Sequence, residues 1–153
     1  MGPGSSGETP IPTHALLGVG VLAEGHRFFD ASDLDKHFAE LKTHCRRVEA
    51  ATPGYHPVAD IGNRFYAIPH TAELRLSQDT RAHFVEIQRL VDSVNKLCLT
   101  ITPDQLRQIN SIAIVAGTVA KARALCHFMS VEQFRIEYLC IDAAAAEEIL
   151  RLP

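Results

Sequence analysis

Residues 102–128, TPDQLRQINSIAIVAGTVAKARALCHF, form the stretch on which the expected fold depends most. Thr102 and Gln105 make a capping box with Pro103 at the first helical position, a pattern typical of a helix N-terminus. Apolar side chains then recur at helical spacing, at Leu106, Ile109, Ala113 and Ala116. The pattern predicts a long central helix over 103–128, which could divide into two at Gly117.

The same stretch can be interpreted as a helix-turn-helix in 103–128. Its first helix would span 105–115 and its second 119–128, with Ala113 four residues before Gly117, where the two helices would approach closely. The polar side chains that would then face phosphates or base edges are Arg107, Lys121, Arg123 and His127. Against this motif, Arg123 falls at a position that it usually fills with an apolar residue.

Small residues are spaced 4, 3 and 4 apart in the same stretch, at Ala113, Gly117, Ala120 and Ala124. On a helix they would form one smooth stripe, which another helix could approach closely. We therefore predict that these four residues pack against a neighbouring helix, either within the chain or from a partner.

Working outward, the periodicity predicts helices over 32–50, with Ser32 as the N-cap, and over 80–99. Two short helices are expected after Ser130 and after Asp142. Residues 13–23 fit either a short helix or a strand, and 64–76 fit a small β-hairpin. The expected fold is mainly α, a bundle of about five helices with this hairpin as an option. Residues 1–12 are predicted to be a flexible tail, and 13–153 a single helical domain.

Composition sets further bounds. The 153 residues are 46% apolar and 22% charged, with a net charge of −3, which gives no strong attraction to nucleic acid or membrane. The apolar runs are too short to cross a bilayer, and no signal peptide is visible, so a cytoplasmic location is expected. Four scattered cysteines lack the spacing of a chelating or disulfide motif, so neither metal nor cofactor is predicted.

No catalytic motif appears, since the sequence lacks a P-loop, H-E-x-x-H and G-x-S-x-G. The leading prediction is therefore a non-catalytic regulatory or adaptor module that binds another protein as a homodimer. The alternative is a DNA-binding transcriptional regulator that uses the helix-turn-helix. A small enzyme with an unidentified His/Cys/Asp site is the second alternative. The loop Pro53–Pro57, whose tyrosine and histidine we expect to be exposed, could bind a ligand but is more typical of a rigid surface loop.

Overall fold

The computed structural model describes residues 12–23, 35–70, 76–131 and 134–152. It is a mixed α/β fold, so the expected helical bundle is wrong. The elements, in chain order, are β1 His14–Val21, α1 Lys36–Ala51, β2 Val58–Ile61, β3 Arg64–Ala67, α2 Gln78–Leu97, α3 Pro103–Arg107, β4 Ser111–Ala116, α4 Val119–Val131, β5 Ile136–Ile141 and α5 Ala143–Arg151.

The strands form one sheet in the order β3-β2-β1-β4-β5. β1 is parallel to β4 and β4 is parallel to β5, whereas β2 is antiparallel to both of its neighbours. β4 lies between β1 and β5, and its side chains Ile112, Ile114 and Ala116 are all buried. A short, almost wholly apolar run of this kind is typical of a parallel strand.

Residues 103–128 do not form a continuous helix or a helix-turn-helix. The capping box at Thr102 and Gln105 is present, but it opens a helix of only five residues. The chain then crosses the sheet as β4 before α4 begins at Val119. The run 112–116 is apolar at every position, and such a run fits a buried strand as well as a buried helix.

The β-hairpin exists but lies earlier than expected. β3 pairs with β2, which precedes it, through a turn in which Gly62 and Asn63 have φ of 59° and 64°. Two consecutive positive φ values are typical of a type I′ turn, which matches the twist of the flanking strands. The expected second strand falls largely on residues 71–75, outside the described residues.

Three helices agree with the sequence. α1 and α2 occupy nearly the expected ranges, and Asp142 caps α5 as expected. The N-cap of α1 is Asp35, whereas Ser32 lies outside the described residues. The helix expected after Ser130 is wrong, because 136–141 form β5 instead. Within the described ranges, no helix combines the length and the apolarity needed to cross a membrane.

The apolar core lies on both faces of the sheet. On one face, α4 covers β1, β2 and β4, and Leu125 and Phe128 are fully buried there. On the other face, α1 and α2 pack together over the hairpin, with Leu41, Leu90 and Phe65 in a second cluster. The hairpin contributes to both clusters and therefore joins them.

At Phe65, the outer edge of β3 is bound by one side chain of α2. The Asn95 amide donates to the carbonyl oxygen of Phe65 at 2.9 Å, and the Phe65 N–H donates to Asn95 Oδ1, also at 2.9 Å. Asn95 thus makes the two hydrogen bonds that a neighbouring strand would make, and it protects an edge that would otherwise be open.

Candidate functional site

A small crevice lies at the carboxyl ends of β1 and β4, where the first turn of α4 begins. Its volume is about 90 Å³, and it is lined by Val21, Gly54, Tyr55, His56, Val119, Ala120, Arg123, Ala124 and Glu148. In open α/β sheets, ligands bind in the crevice outside the carboxyl ends of the strands. The site is therefore where the fold itself favours ligand binding.

One wall of the crevice comes from the loop that follows α1. Tyr55 is buried, its hydroxyl donates to the carbonyl oxygen of Ile68, and burial raises the pKa of its phenol. His56 Nδ1 lies 3.1 Å from Glu49 Oε1 on α1. These contacts hold the loop in place, so the wall is preformed, and the tyrosine is buried rather than exposed as the sequence suggested.

The opposite wall is set by the turn between β4 and α4. The Thr118 N–H donates to Asp142 Oδ2 at 2.7 Å, while Asp142 Oδ1 accepts from the Ala145 N–H at the start of α5, also at 2.7 Å. The N–H groups of Ala145 and Thr118, with the charge of Lys121, hold the pKa of the Asp142 carboxyl below its usual range. One carboxylate thus joins the α4 turn to the α5 N-terminus.

This turn has an unusual backbone. Thr118 adopts φ of 75°, which is strained for a β-branched residue. A Cβ added at Gly117 would lie 3.2 Å from Asp142 Oδ2, which is tighter than ordinary contact. The small residue at 117 and the carboxylate at 142 therefore fit each other.

The four predicted nucleic-acid residues do not form a helix-turn-helix face. Arg107 precedes β4 and Lys121 follows it, so the length of the strand separates them. The Arg107 guanidinium lies beside Asp104 and over the ring of Phe134. Arg123 lines the crevice, and burial lowers the pKa of His127. Their contact with DNA stays a prediction.

The small residues do not share one helical stripe either. Ala113 is in β4, Gly117 is in the turn, and only the last two are in α4. Ala124 is buried against the sheet, whereas Ala120 is exposed at the crevice. Their helical spacing was thus a coincidence of a strand followed by a helix, and their packing against a partner stays a prediction.

A second surface, which the sequence analysis missed, is the face of β1, β4 and β5 opposite α4. Pairing places six side-chain positions there in two rows: Leu16, Ala113 and Tyr138, then Gly18, Val115 and Cys140. We call these six residues the open face. Leu16 is 73% exposed and Tyr138 is 62% exposed. Parallel strands are usually covered on both faces, so an exposed face of this kind is a candidate binding surface.

Three of the four cysteines are poorly suited to nucleophilic catalysis. Burial raises the pKa of Cys45, Cys98 and Cys126, which keeps these three side chains protonated and poorly nucleophilic. In the part of the chain that the structure describes, no three His, Cys, Asp or Glu side chains are grouped to hold a metal ion. Cys140 is a free, exposed thiol on the open face.

Comparison with known proteins gives one informative similarity. No protein-family model matches the sequence, and no curated protein sequence matches it. The fold is similar to a solved structure described as the crystal structure of a transcriptional regulator from Streptococcus pneumoniae TIGR4, with a TM-score of 0.52 and 15% identity. The match covers 91% of this chain and 42% of that chain, so this chain spans less than half the length of the protein it resembles. At this identity the similarity shows a shared fold alone.

Proposed function

We propose that this chain is a non-catalytic regulatory module of a transcriptional regulator, and that it responds to a small polar ligand bound in the crevice. The observation that carries the proposal is the position of the crevice, at the carboxyl ends of the parallel strands β1 and β4. The similarity in fold to a transcriptional regulator supports the regulatory class.

The lining of the crevice favours a ligand with an anionic group. Arg123 supplies a guanidinium, and the first turn of α4 contributes the positive end of a 13-residue helix. Glu148 and His56 add groups that can bind hydroxyls or amides. A compact anion, such as phosphate or a small carboxylate, fits this set of partners and the volume of about 90 Å³.

Inorganic phosphate is the simplest probe of this site. A ligand that binds only the folded chain increases the free energy of unfolding as its concentration rises, by about 2.7 kcal/mol at one hundred times the Kd, and the thermal midpoint rises with it. We expect phosphate to raise the thermal midpoint of the wild type, and Arg123→Gln to reduce that increase. Arg135→Gln, which removes an exposed arginine remote from the crevice in sequence, is the control and should keep the response. An equal response in all three proteins would contradict the proposal.

In this proposal, DNA contact belongs to another part of the regulator. The described residues contain no helix-turn-helix in 103–128, and the proposed ligand uses Arg123. We expect the isolated chain to bind duplex DNA weakly and without sequence preference in fluorescence anisotropy, with affinity falling steeply as salt rises. Tight, sequence-specific binding that is lost in Lys121→Gln would favour direct DNA recognition instead.

Self-association is a second candidate function, and β5 favours it. Among the described strands, β5 lies at one end of the sheet, and four of its six residues are exposed, including Tyr138 and Leu139. We propose that a second copy of the chain pairs with β5 across a two-fold axis. A strand edge exposed in this way is a template for pairing with another chain.

Sedimentation at micromolar concentration tests this second candidate. We expect a dimer for the wild type and a monomer for Leu139→Lys, because the axis would bring two like charges close together. Leu150→Lys, at an equally apolar and more exposed position on α5, is the matched control and should remain a dimer. A monomeric wild type, or a dimer of Leu139→Lys with unchanged affinity, would exclude pairing through β5.

A further inference from the structure

Two histidines meet where α1 packs against α2. His44 Nδ1 on α1 lies 2.9 Å from His83 Nδ1 on α2, and the two ring centroids are 5.0 Å apart. The His83 side chain is only 13% exposed. The pair sits beside the second core cluster, to which α1 contributes Cys45, the residue after His44.

The protons of this pair can be assigned from its neighbours. Arg47 Nη1 lies 3.4 Å from His83 Nε2, and a guanidinium can only donate, so Nε2 is the acceptor. A neutral His83 then carries its proton on Nδ1 and donates it to His44 Nδ1. The result is a series of hydrogen bonds directed from Arg47 through His83 to His44, and it requires both imidazoles to be neutral.

An added proton on either ring disrupts this series of hydrogen bonds. A proton on His83 Nε2 would displace Arg47 and would face Asp79 Oδ2 at 3.8 Å. A proton on His44 Nδ1 would face the N–H group of His83 2.9 Å away. If both rings were protonated, two N–H hydrogens and two positive charges would be in contact between α1 and α2.

The surrounding charges modify this response without removing it. Glu40 and Arg47 act on His44 from α1, and Glu86 acts from α2. Glu86 is hydrogen-bonded to Arg89, which neutralises part of its attraction for a proton. Burial lowers the pKa of His44, and the charge of His83 lowers it further.

We propose that the His44–His83 pair is a proton-sensitive latch that holds α1 against α2 when both rings are neutral and releases them on acidification. The contribution of His44 to stability is fully present above the ordinary histidine pKa of 6.5 and is lost as the pH falls below it, because the folded chain favours the neutral form of His44. The cluster behind the latch, with Leu41, Leu90 and Phe65, would be the part exposed on opening.

Amide hydrogen exchange of the full chain at about pH 7.5 and about pH 5.5, in EDTA, tests the latch directly. After correction for intrinsic rates, we expect the opening equilibrium of Cys45, Val48 and Leu90 to rise by about threefold to tenfold at the lower pH, since one pKa unit corresponds to tenfold. Ile112 and Ile114 in β4 are the internal reference and should change little. An equal change in the helices and in β4 would overturn the proposal.

Variants separate the latch from a general effect of histidine. His44→Gln and His83→Gln should remove the pH-dependent difference between the helices and β4. His14→Gln, at an exposed position of β1, is the control and should retain that difference. If either latch variant fails to fold, NMR titration of His44 in the wild type is decisive, since His44 must then take up its proton below the ordinary histidine pKa of 6.5. Titration of His44 at or above 6.5 would contradict the latch.

Discussion

Two glycines on one face of β1 show how much a single methyl group can matter. An ideal Cβ at Gly20 would lie 2.0 Å from Asp60 Oδ1 and 3.0 Å from its Cγ, whereas one at Gly18 meets nothing within 4 Å. Gly20→Ala should therefore cost about 1–3 kcal/mol as an overpacking change. Gly18→Ala should stay within about 0.5 kcal/mol of wild type, as surface changes do. Urea unfolding compares the two, and equal costs would mean that Asp60 can move aside.

Asp142 should link stability to pH at the acid end. Its carboxylate accepts from two backbone N–H groups, so its folded pKa lies below the ordinary 3.8. Asp142→Asn keeps the shape but loses one acceptor and the charge, and it should lower the unfolding midpoint at neutral pH. The difference from wild type should persist above pH 3.8 and disappear as the pH falls through the folded pKa. Asp104→Asn, in the first turn of α3, is the control and should show a smaller difference.

At the scale of elements, the edge of β3 makes a direct prediction. Asn95→Ala removes both side-chain hydrogen bonds to Phe65 and leaves a backbone N–H and carbonyl without these partners. We expect a loss of about 1–3 kcal/mol in the free energy of unfolding, and slow aggregation at high concentration. Gln88→Ala, on an exposed position of the same helix, should change neither urea midpoint nor light scattering. Unaltered aggregation in Asn95→Ala would show that another group protects this edge.

The elements that carry a clear apolar stripe or a capping residue could be predicted from the sequence, and the others could not. α2 has a full apolar stripe and α5 has its cap at Asp142, so both were correct from the sequence. β4 is apolar at 112–116 without alternation, because one of its faces is buried and the other carries Ala113 and Val115. The capping box at Thr102 was also real, but a cap fixes where a helix begins and not where it ends.

For the whole molecule, two core clusters raise the question of whether they unfold together. The hairpin packs Ala59 and Ile61 into one cluster and Val58 and Phe65 into the other. We therefore expect a single transition, with far-ultraviolet and near-ultraviolet circular dichroism coinciding. Leu90→Ala and Leu125→Ala, one in each cluster, should each cost about 2–5 kcal/mol without splitting that transition. Separate transitions in either variant would mean that the clusters are independent.

The crevice could not be predicted because its lining comes from separated parts of the chain. Val21, the loop at 54–56, the first turns of α4 and Glu148 meet only through the parallel pairing of β1 with β4. That pairing joins residues almost one hundred positions apart, and no local pattern encodes it. Arg123 was selected from the sequence for its charge, and it does line the crevice, although its predicted partner was DNA.

The protected edge at β3 has a consequence for how copies of this chain could assemble. Among the described strands, the sheet has Asn95 bound at its β3 edge and is accessible at its β5 edge, so it has one reactive end. Two copies that join through β5 use up both reactive ends, and each outer boundary of the ten-stranded product is then a strand shielded by Asn95. Association therefore stops at the dimer. Asn95, remote from the joining surface, would thus act as a chain terminator that makes association finite rather than fibrous.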